Sequence, residues 1–156
     1  MDGVSIVICC HNSAARLPAT LQHLRDQMPS RIPWEIVVVD NASTDDTASV
    51  ARACWPSSAV PLRIVFEPQP GLVHARQCGL SNARYEFISF IDDDNWVAPD
   101  WVENVYRVYE RHPDTGAING HNTASVEEPL PDWFDRFSIA YAVTPADWAP
   151  GDVTET

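Results

Sequence analysis

The chain of 156 residues contains no lysine; its ten basic residues are all arginine. They face 22 Asp and Glu, for a formal net charge of -12. Nucleic-acid binding needs a basic footprint, and none is present. The imbalance is uneven. Residues 1–85 hold seven Arg against seven acids, whereas residues 86–156 hold three Arg against fifteen acids. An acidic half is repelled by an anionic membrane surface, and it suits a divalent cation better than either polyanion. No apolar run approaches the roughly 18 residues that cross a bilayer, so no transmembrane segment is expected. The amino terminus, MDGVSIVICCHN, has no basic leader and does not read as a signal peptide. Cysteine is sparse: Cys9, Cys10, Cys54 and Cys78, with no CxxC. That pattern favours neither a zinc site nor a disulfide framework, and is read as reduced thiols in a cytoplasmic protein. Cys9 and Cys10 have a plain reading as small apolar strand residues. Neither GxGxxG nor GxxxxGK[ST] occurs, so dinucleotide and P-loop binding have no support.

What is present is a recurrent strand–helix alternation. Four short apolar runs stand at Val4–Cys9, Trp34–Asp40, Leu62–Glu67 and Tyr85–Asp92. The first two are nearly continuous in Val and Ile, as in strands buried on both faces of a parallel sheet. Helical patterns lie between them. Leu17–Met28 places Leu17, Leu21, Leu24 and Met28 on one face, with Pro18 suited to a first turn. Ser43–Cys54 opens with a Ser/Thr cap and two acids. Gly71–Ala83 is weaker, with Gly79 inside it. Pro99–His112 has a broad apolar face that fits packing on the sheet. This alternation predicts an α/β doubly wound layer with right-handed crossovers. After Pro113 the pattern decays. TGAINGHN is compatible with one more strand, and PLPDWFDRFSIAYAV with an aromatic amphipathic segment. The expected division is an α/β region over 1–118 and a partly irregular region over 119–156.

Ligands of open α/β sheets bind beyond the carboxyl ends of the strands, at a switch in strand order. The first strand here ends in Cys9-Cys10-His11-Asn12, the second in Asp40-Asn41 and the fourth in Asp92-Asp93-Asp94. These ends converge if the first strand lies between the second and fourth. Three adjacent carboxylates repel one another. They read either as a wet turn or as a cation site, since Mg²⁺ and Mn²⁺ take one or two carboxylates with water and substrate phosphates. In an extended Asp92-x-Asp94 both carboxylates point to one side. Asp40 reads as a turn acid or as an acceptor for a ring N–H of a bound base. Arg76 reads as a surface or carboxylate-paired residue, or as a partner of a diphosphate. His11 reads as a loop histidine or a site residue.

In their order and spacing, VSIVICCHN, EIVVVDNASTDDT, GLVHARQCG and FISFIDDDNW resemble the amino-terminal half of family 2 glycosyltransferases, from about Val4 to Val102. The resemblance implies a GT-A fold, mostly parallel and sandwiched by helices, and inverting transfer from a nucleotide-diphosphate sugar. It implies a base bound near Cys9, His11 and Asp40, with UDP-sugar the favoured donor, and Arg76 at the diphosphate. Asp93 is implied to face ribose and donor sugar. Asp94 is implied as the principal ligand of manganese or magnesium, and Asp92 as the first acid of the DxD. His11 stands where the family often has Tyr, and Gln77 where it often has Asn. Inverting transfer to a hydroxyl of a carbohydrate or lipid-linked acceptor needs a general base. The family supplies it well downstream, and this chain stops 62 residues after Asp94. The catalytic residue is therefore unassigned, and no motif supports Glu127 or Glu128. The chain is expected to be cut short within the acceptor side, into which LPDWFDRFSIAYAV leads. The alternative is a non-catalytic nucleotide-sugar-binding module or subunit. A sugar-1-phosphate nucleotidyltransferase should carry a Gly-rich basic loop after the first strand, and CCHNSAARL is not one. A homo-oligomer is compatible with the sequence.

Overall fold

Val4, Ile6 and Ile8 alternate along the first strand with Ser5, Val7 and Cys9, and all but Cys9 are fully buried. Burial of both sets requires cover on both faces. A computed structural model describes residues 2–56, 59–125 and 129–137. It shows four strands, β1 (Val4–Cys10), β2 (Trp34–Asn41), β3 (Leu62–Glu67) and β4 (Phe87–Asp92). They form one parallel sheet in the order β3-β2-β1-β4. The first strand thus lies between the second and fourth, the condition under which their carboxyl ends converge. Helices α1 (Leu17–Arg25), α2 (Thr47–Cys54), α3 (Leu72–Asn82) and α4 (Trp101–Arg111) alternate with the strands.

Each face has its own core. On one side Val4, Ile6, Ile8, Ile36 and Val38 meet Leu17, Leu21 and Leu24 of α1, Ala51 of α2 and Val102 of α4. On the other, Val7, Val37 and Val39 meet Ala75 of α3. The change of face follows from topology. β1, β2 and β3 advance in one direction and β4 returns past β1, so the right-handed crossover rule puts α3 on the opposite face from α1 and α2. α3 lies unusually close to the sheet. A Cβ at Gly79 would collide with Cγ1 of Val7, so the glycine that weakens the helical pattern is what permits this approach.

Several boundaries differ from expectation. α1 ends at Arg25, so Met28 falls outside it and is 56% exposed; its N–H bonds Pro99 O at 2.7 Å. α2 begins at Thr47 instead of Ser43, because the intervening side chains are engaged elsewhere. β4 begins at Phe87, not Tyr85, and α4 at Trp101, not Pro99. TGAINGHN forms no strand; its one large apolar residue, Ile118, is 45% exposed and offers little to bury. The chain divides after Pro113 into two compact units. Past that division the described residues include one short helix, α5 (Phe134–Phe137). Glu127, Glu128 and residues 138–156 lie outside the described residues. Among the described residues no helix is long and apolar enough to cross a membrane.

Two polar networks tie the layers together. At the amino-terminal end of the strands, fully buried Glu35 accepts hydrogen bonds from Ser5 Oγ at 3.0 Å, Arg63 Nε and Nη2 at 3.1 Å and Arg84 N at 2.9 Å. At the carboxyl end, the loops after β1 and β2 are latched. The amides of Asn12, Ser13 and Ala14 donate to Ser43 Oγ (3.1 Å), Thr47 Oγ1 (2.8 Å) and Asp45 Oδ2 (3.0 Å). Asn12 Oδ1 returns the contact by accepting from Thr44 N at 2.8 Å. The STDDT stretch therefore serves as a row of acceptors for another loop.

Removing Glu35 strands two arginines beside a buried gap, and breaking a buried ion pair costs about 3–5 kcal/mol. Glu35→Ala should lower the unfolding free energy by that order in urea titration. The Thr47 hydroxyl, followed by backbone amides including Ala14's, holds the Asp45 carboxyl below its ordinary value. A depressed folded pKa contributes stability above the unfolded pKa and loses it as pH falls through the folded one. The stability gap between the wild type and Asp45→Asn should accordingly be constant at neutral pH and close on acidification through the carboxylate range, read by denaturant midpoints at each pH.

Candidate active site

The register sorts the candidate residues by face. Cys9 pairs with Asp92 across β1 and β4, while Cys10 pairs with Asp40 across β1 and β2. Cys9, Asp92 and Arg76 come together: the Arg76 and Asp92 charges both act on the Cys9 thiol. Asp40 acts instead on Cys10, on the α1 side. Burial pushes the Cys9 thiol up to about 11 and the Cys10 thiol to about 12. Both stay protonated at neutral pH, so neither is a thiolate nucleophile. Their place at the site is apolar packing, which agrees with the plain reading of the pair.

Arg76 projects from α3 with its guanidinium 5.5 Å from the ring centroid of Phe90. Stacking on a ring face holds the fork while leaving its N–H donors available. Arg76 is exposed and has no carboxylate partner among the described residues. Its surface reading is thus met in exposure, but not in pairing.

His11 and Asp40 are each half committed. His11 Nδ1 lies 2.8 Å from Asn41 O. A carbonyl only accepts, so Nδ1 carries the proton and Nε2 is the acceptor, with Asn12 Nδ2 at a long 3.5 Å from it. Asp40 Oδ1 accepts from Ser43 N at 3.2 Å, as a turn acid does. Asn41 is a site-shaping residue whose role sequence reasoning missed. Its side chain donates to Glu67 O and Gln69 O and accepts from Gly71 N at 2.8 Å. It thereby fixes the β3–α3 loop, which ends at the start of the helix that carries Arg76.

The three aspartates differ. β4 ends at Asp92, and Asp93 and Asp94 lie in a turn, so the period-two geometry expected for Asp92-x-Asp94 does not apply. Asn95 closes that turn, donating its N–H to Asp92 O at 3.1 Å and accepting from Asp92 N at 3.2 Å. Nothing local in the sequence marked Asn95 as the turn's closing residue. Asp93 is buried; its carboxylate accepts from Ser13 Oγ and from Arg16 Nη2 at 2.6 Å. Asp92 and Asp94 are exposed, and the only hydrogen bond to either carboxylate among the described residues is a long one, 3.4 Å, from Asn95 to Asp94.

No three His, Cys, Asp or Glu side chains converge as a ready metal cage among the described residues. Two free carboxylates without nitrogen or sulfur donors are a hard oxygen set. That set fits magnesium or manganese, which share their shell with water and a substrate phosphate, and it does not suit structural zinc.

The chain is 31% identical over 104 residues to the putative glycosyltransferase EpsH of Bacillus subtilis, covering 67% of this chain and 29% of EpsH. It is 27% identical over 153 residues to the succinoglycan biosynthesis protein ExoM of Rhizobium meliloti, covering 96% of this chain and 48% of ExoM. Among solved structures, TarS of S. aureus in complex with UDP-GlcNAc superposes with a TM-score of 0.62 at 23% identity, over 71% of this chain and 32% of TarS. The mannosyltransferase PcManGT from Pyrobaculum calidifontis, in complex with GDP-Man and Mn2+, superposes with a TM-score of 0.58 at 29% identity, over 69% of this chain and 31% of that one. The chain spans less than half the length of each of these relatives. The fold is GT-A, as the family resemblance implied. The profile of glycosyl transferase family 2 matches residues 5–151, nearly the whole chain, and the chain belongs to that family.

Proposed function

We propose that this chain is the donor-binding part of an inverting, metal-assisted glycosyltransferase that takes a nucleotide-diphosphate sugar, UDP-sugar foremost. One observation carries the reading. An unpaired, ring-stacked Arg76 and the exposed carboxylate of Asp92 both act at Cys9, at the carboxyl ends of β1 and β4 where the order of the strands reverses, and the exposed Asp94 follows two residues on. Arg76 donates to the diphosphate oxygens. Asp40, with one oxygen outside its turn, accepts a ring N–H of the base, and His11 Nε2 offers a second acceptor nearby. Cys9 supplies the apolar floor. Asp94, with Asp92, would hold a divalent cation, manganese or magnesium, which neutralises charge on the departing diphosphate. The nucleotide-sugar and Mn2+ complexes of the structural neighbours support this donor class.

In the transfer itself, an acceptor hydroxyl oxygen bonds to the anomeric carbon, the bond to the diphosphate oxygen breaks, and the hydroxyl proton passes to a base. No residue of this chain is assigned as that base. The acceptor is a carbohydrate or a lipid-linked sugar. We place the donor region at 1–118 and the start of the acceptor side at 119–156. The four free thiols support a cytoplasmic setting.

Calorimetric titration of the chain with UDP, GDP and dTDP tests the reading. Binding is expected with manganese and is lost on chelation; no binding of any of the three with manganese present refutes it. Asp94→Ala should remove the manganese-dependent part while leaving the thermal midpoint in place. Arg76→Ala removes charge-assisted hydrogen bonds and should weaken UDP about 10- to 100-fold. Donor binding without hydrolysis or transfer across an acceptor panel would instead mark a non-catalytic module.

A further inference from the structure

The Asp93 carboxylate is 12% exposed and satisfied from within the protein. Oδ2 accepts from Arg16 Nη2 at 2.6 Å and from Ser13 Oγ, and Oδ1 accepts from Arg16 Nε at 3.3 Å. Its backbone carbonyl accepts from the buried Thr20 Oγ1 at 2.8 Å. All three partners belong to α1 or to the loop that starts it. Farther along, Gln27 bonds Ala98 O at 2.7 Å and Val102 N at 3.1 Å, so the β4–α4 connection is strapped along α1 at both ends. The arginine fork cancels the middle charge of the triple, leaving Asp92 and Asp94 on either side of a neutralised pivot. Ser13 is itself held by Thr47 through its amide. The latch between the first two loops therefore continues through Asp93 into the turn.

We propose that Arg16 and Asp93 are a positioning pair: they pin the Asp92–Asn95 turn to α1, set where Asp92 and Asp94 present their carboxylates, and do not themselves meet the donor. This rests on the donor-site reading above for what Asp92 and Asp94 bind, and it differs from the ribose contact that the family resemblance implied for Asp93. A carboxylate that already accepts three hydrogen bonds, two of them from a guanidinium, has little capacity left for a sugar hydroxyl.

Two measurements on the chain separate the pair from the donor reading. The first is amide hydrogen exchange without ligand. Arg16→Met and Asp93→Asn should each speed exchange at Asp92 and Asn95 by roughly tenfold or more, while Ile6 and Val38 keep their protection. The second is calorimetry with UDP and manganese. Each variant should bind on the order of tenfold more weakly, and the double variant no more weakly than either single one, since one interaction is being removed. Arg16 is half exposed, so Arg16→Met carries the test even where Asp93→Asn fails to fold. Unchanged exchange at Asp92 and Asn95 in Arg16→Met overturns the proposal. So does loss of UDP binding in Asp93→Asn alone, with and without manganese, because that places Asp93 on the ligand. Wild-type chain that binds none of the nucleotides refutes the donor reading, while the exchange result still decides the pair.

Discussion

Everything in the structure follows from the position of β1, which is buried on both faces and paired along both edges. A strand so enclosed has nowhere to put a polar group except at its ends. Ser5 is the exception within the strand, and it is matched by Glu35. The ends therefore divide the labour. The amino-terminal edge holds a satisfied carboxylate–arginine network that closes the layers, and the carboxyl-terminal edge holds polar groups with donors and acceptors to spare. The candidate site residues sit where the enclosure stops.

Arginine without lysine suits this division. At Glu35 and Asp93 a planar fork reaches both oxygens of a buried or nearly buried acid. At Arg76 the same fork lies over Phe90 and is left without an acid among the described residues. Arg16 and Arg63 are thus paired with acids of the fold, whereas Arg76 is exposed on α3. The heavy acidity of the later sequence is a different matter, since many of those acids lie past Pro113.

How much of this the sequence disclosed depends on distance along the chain. Runs of Val and Ile, the leucines at 17, 21 and 24, and Pro18 are local signals, and they gave the existence of the four strands, the burial of the first two on both faces and the start of α1. The polar residues after β1, β2 and β4 followed from the general rule about sheet edges. What could not be read was partnership between remote segments. STDDT looks like a helix cap because a cap uses the same side chains; Asp45 does accept from Thr47 N, but the acceptors of the stretch also serve amides about thirty residues upstream. Nothing near Asp93 in the sequence shows that Arg16, 77 residues earlier, binds it. The Asp92-x-Asp94 geometry failed because the strand stops at Asp92, and only Asn95 reveals the turn. The strand expected at TGAINGHN failed because a sequence pattern shows what could pair and not whether a partner ladder is available.

The place of β4 beside β1 has a consequence for the order of assembly. β1, α1, β2 and α2 are neighbours in sequence and in space, and their loops latch over separations of about thirty residues. The β1–β4 ladder joins Val4 to Phe87, and bringing such distant segments together carries a larger loop-closure cost. Asp92, Asp94 and the Arg16–Asp93 contact come into being only with that closure. The proposed donor site is thus among the last features of the sheet to form, and on that proposal a nascent or partly folded chain that already has its first two strands paired would still be blind to nucleotide.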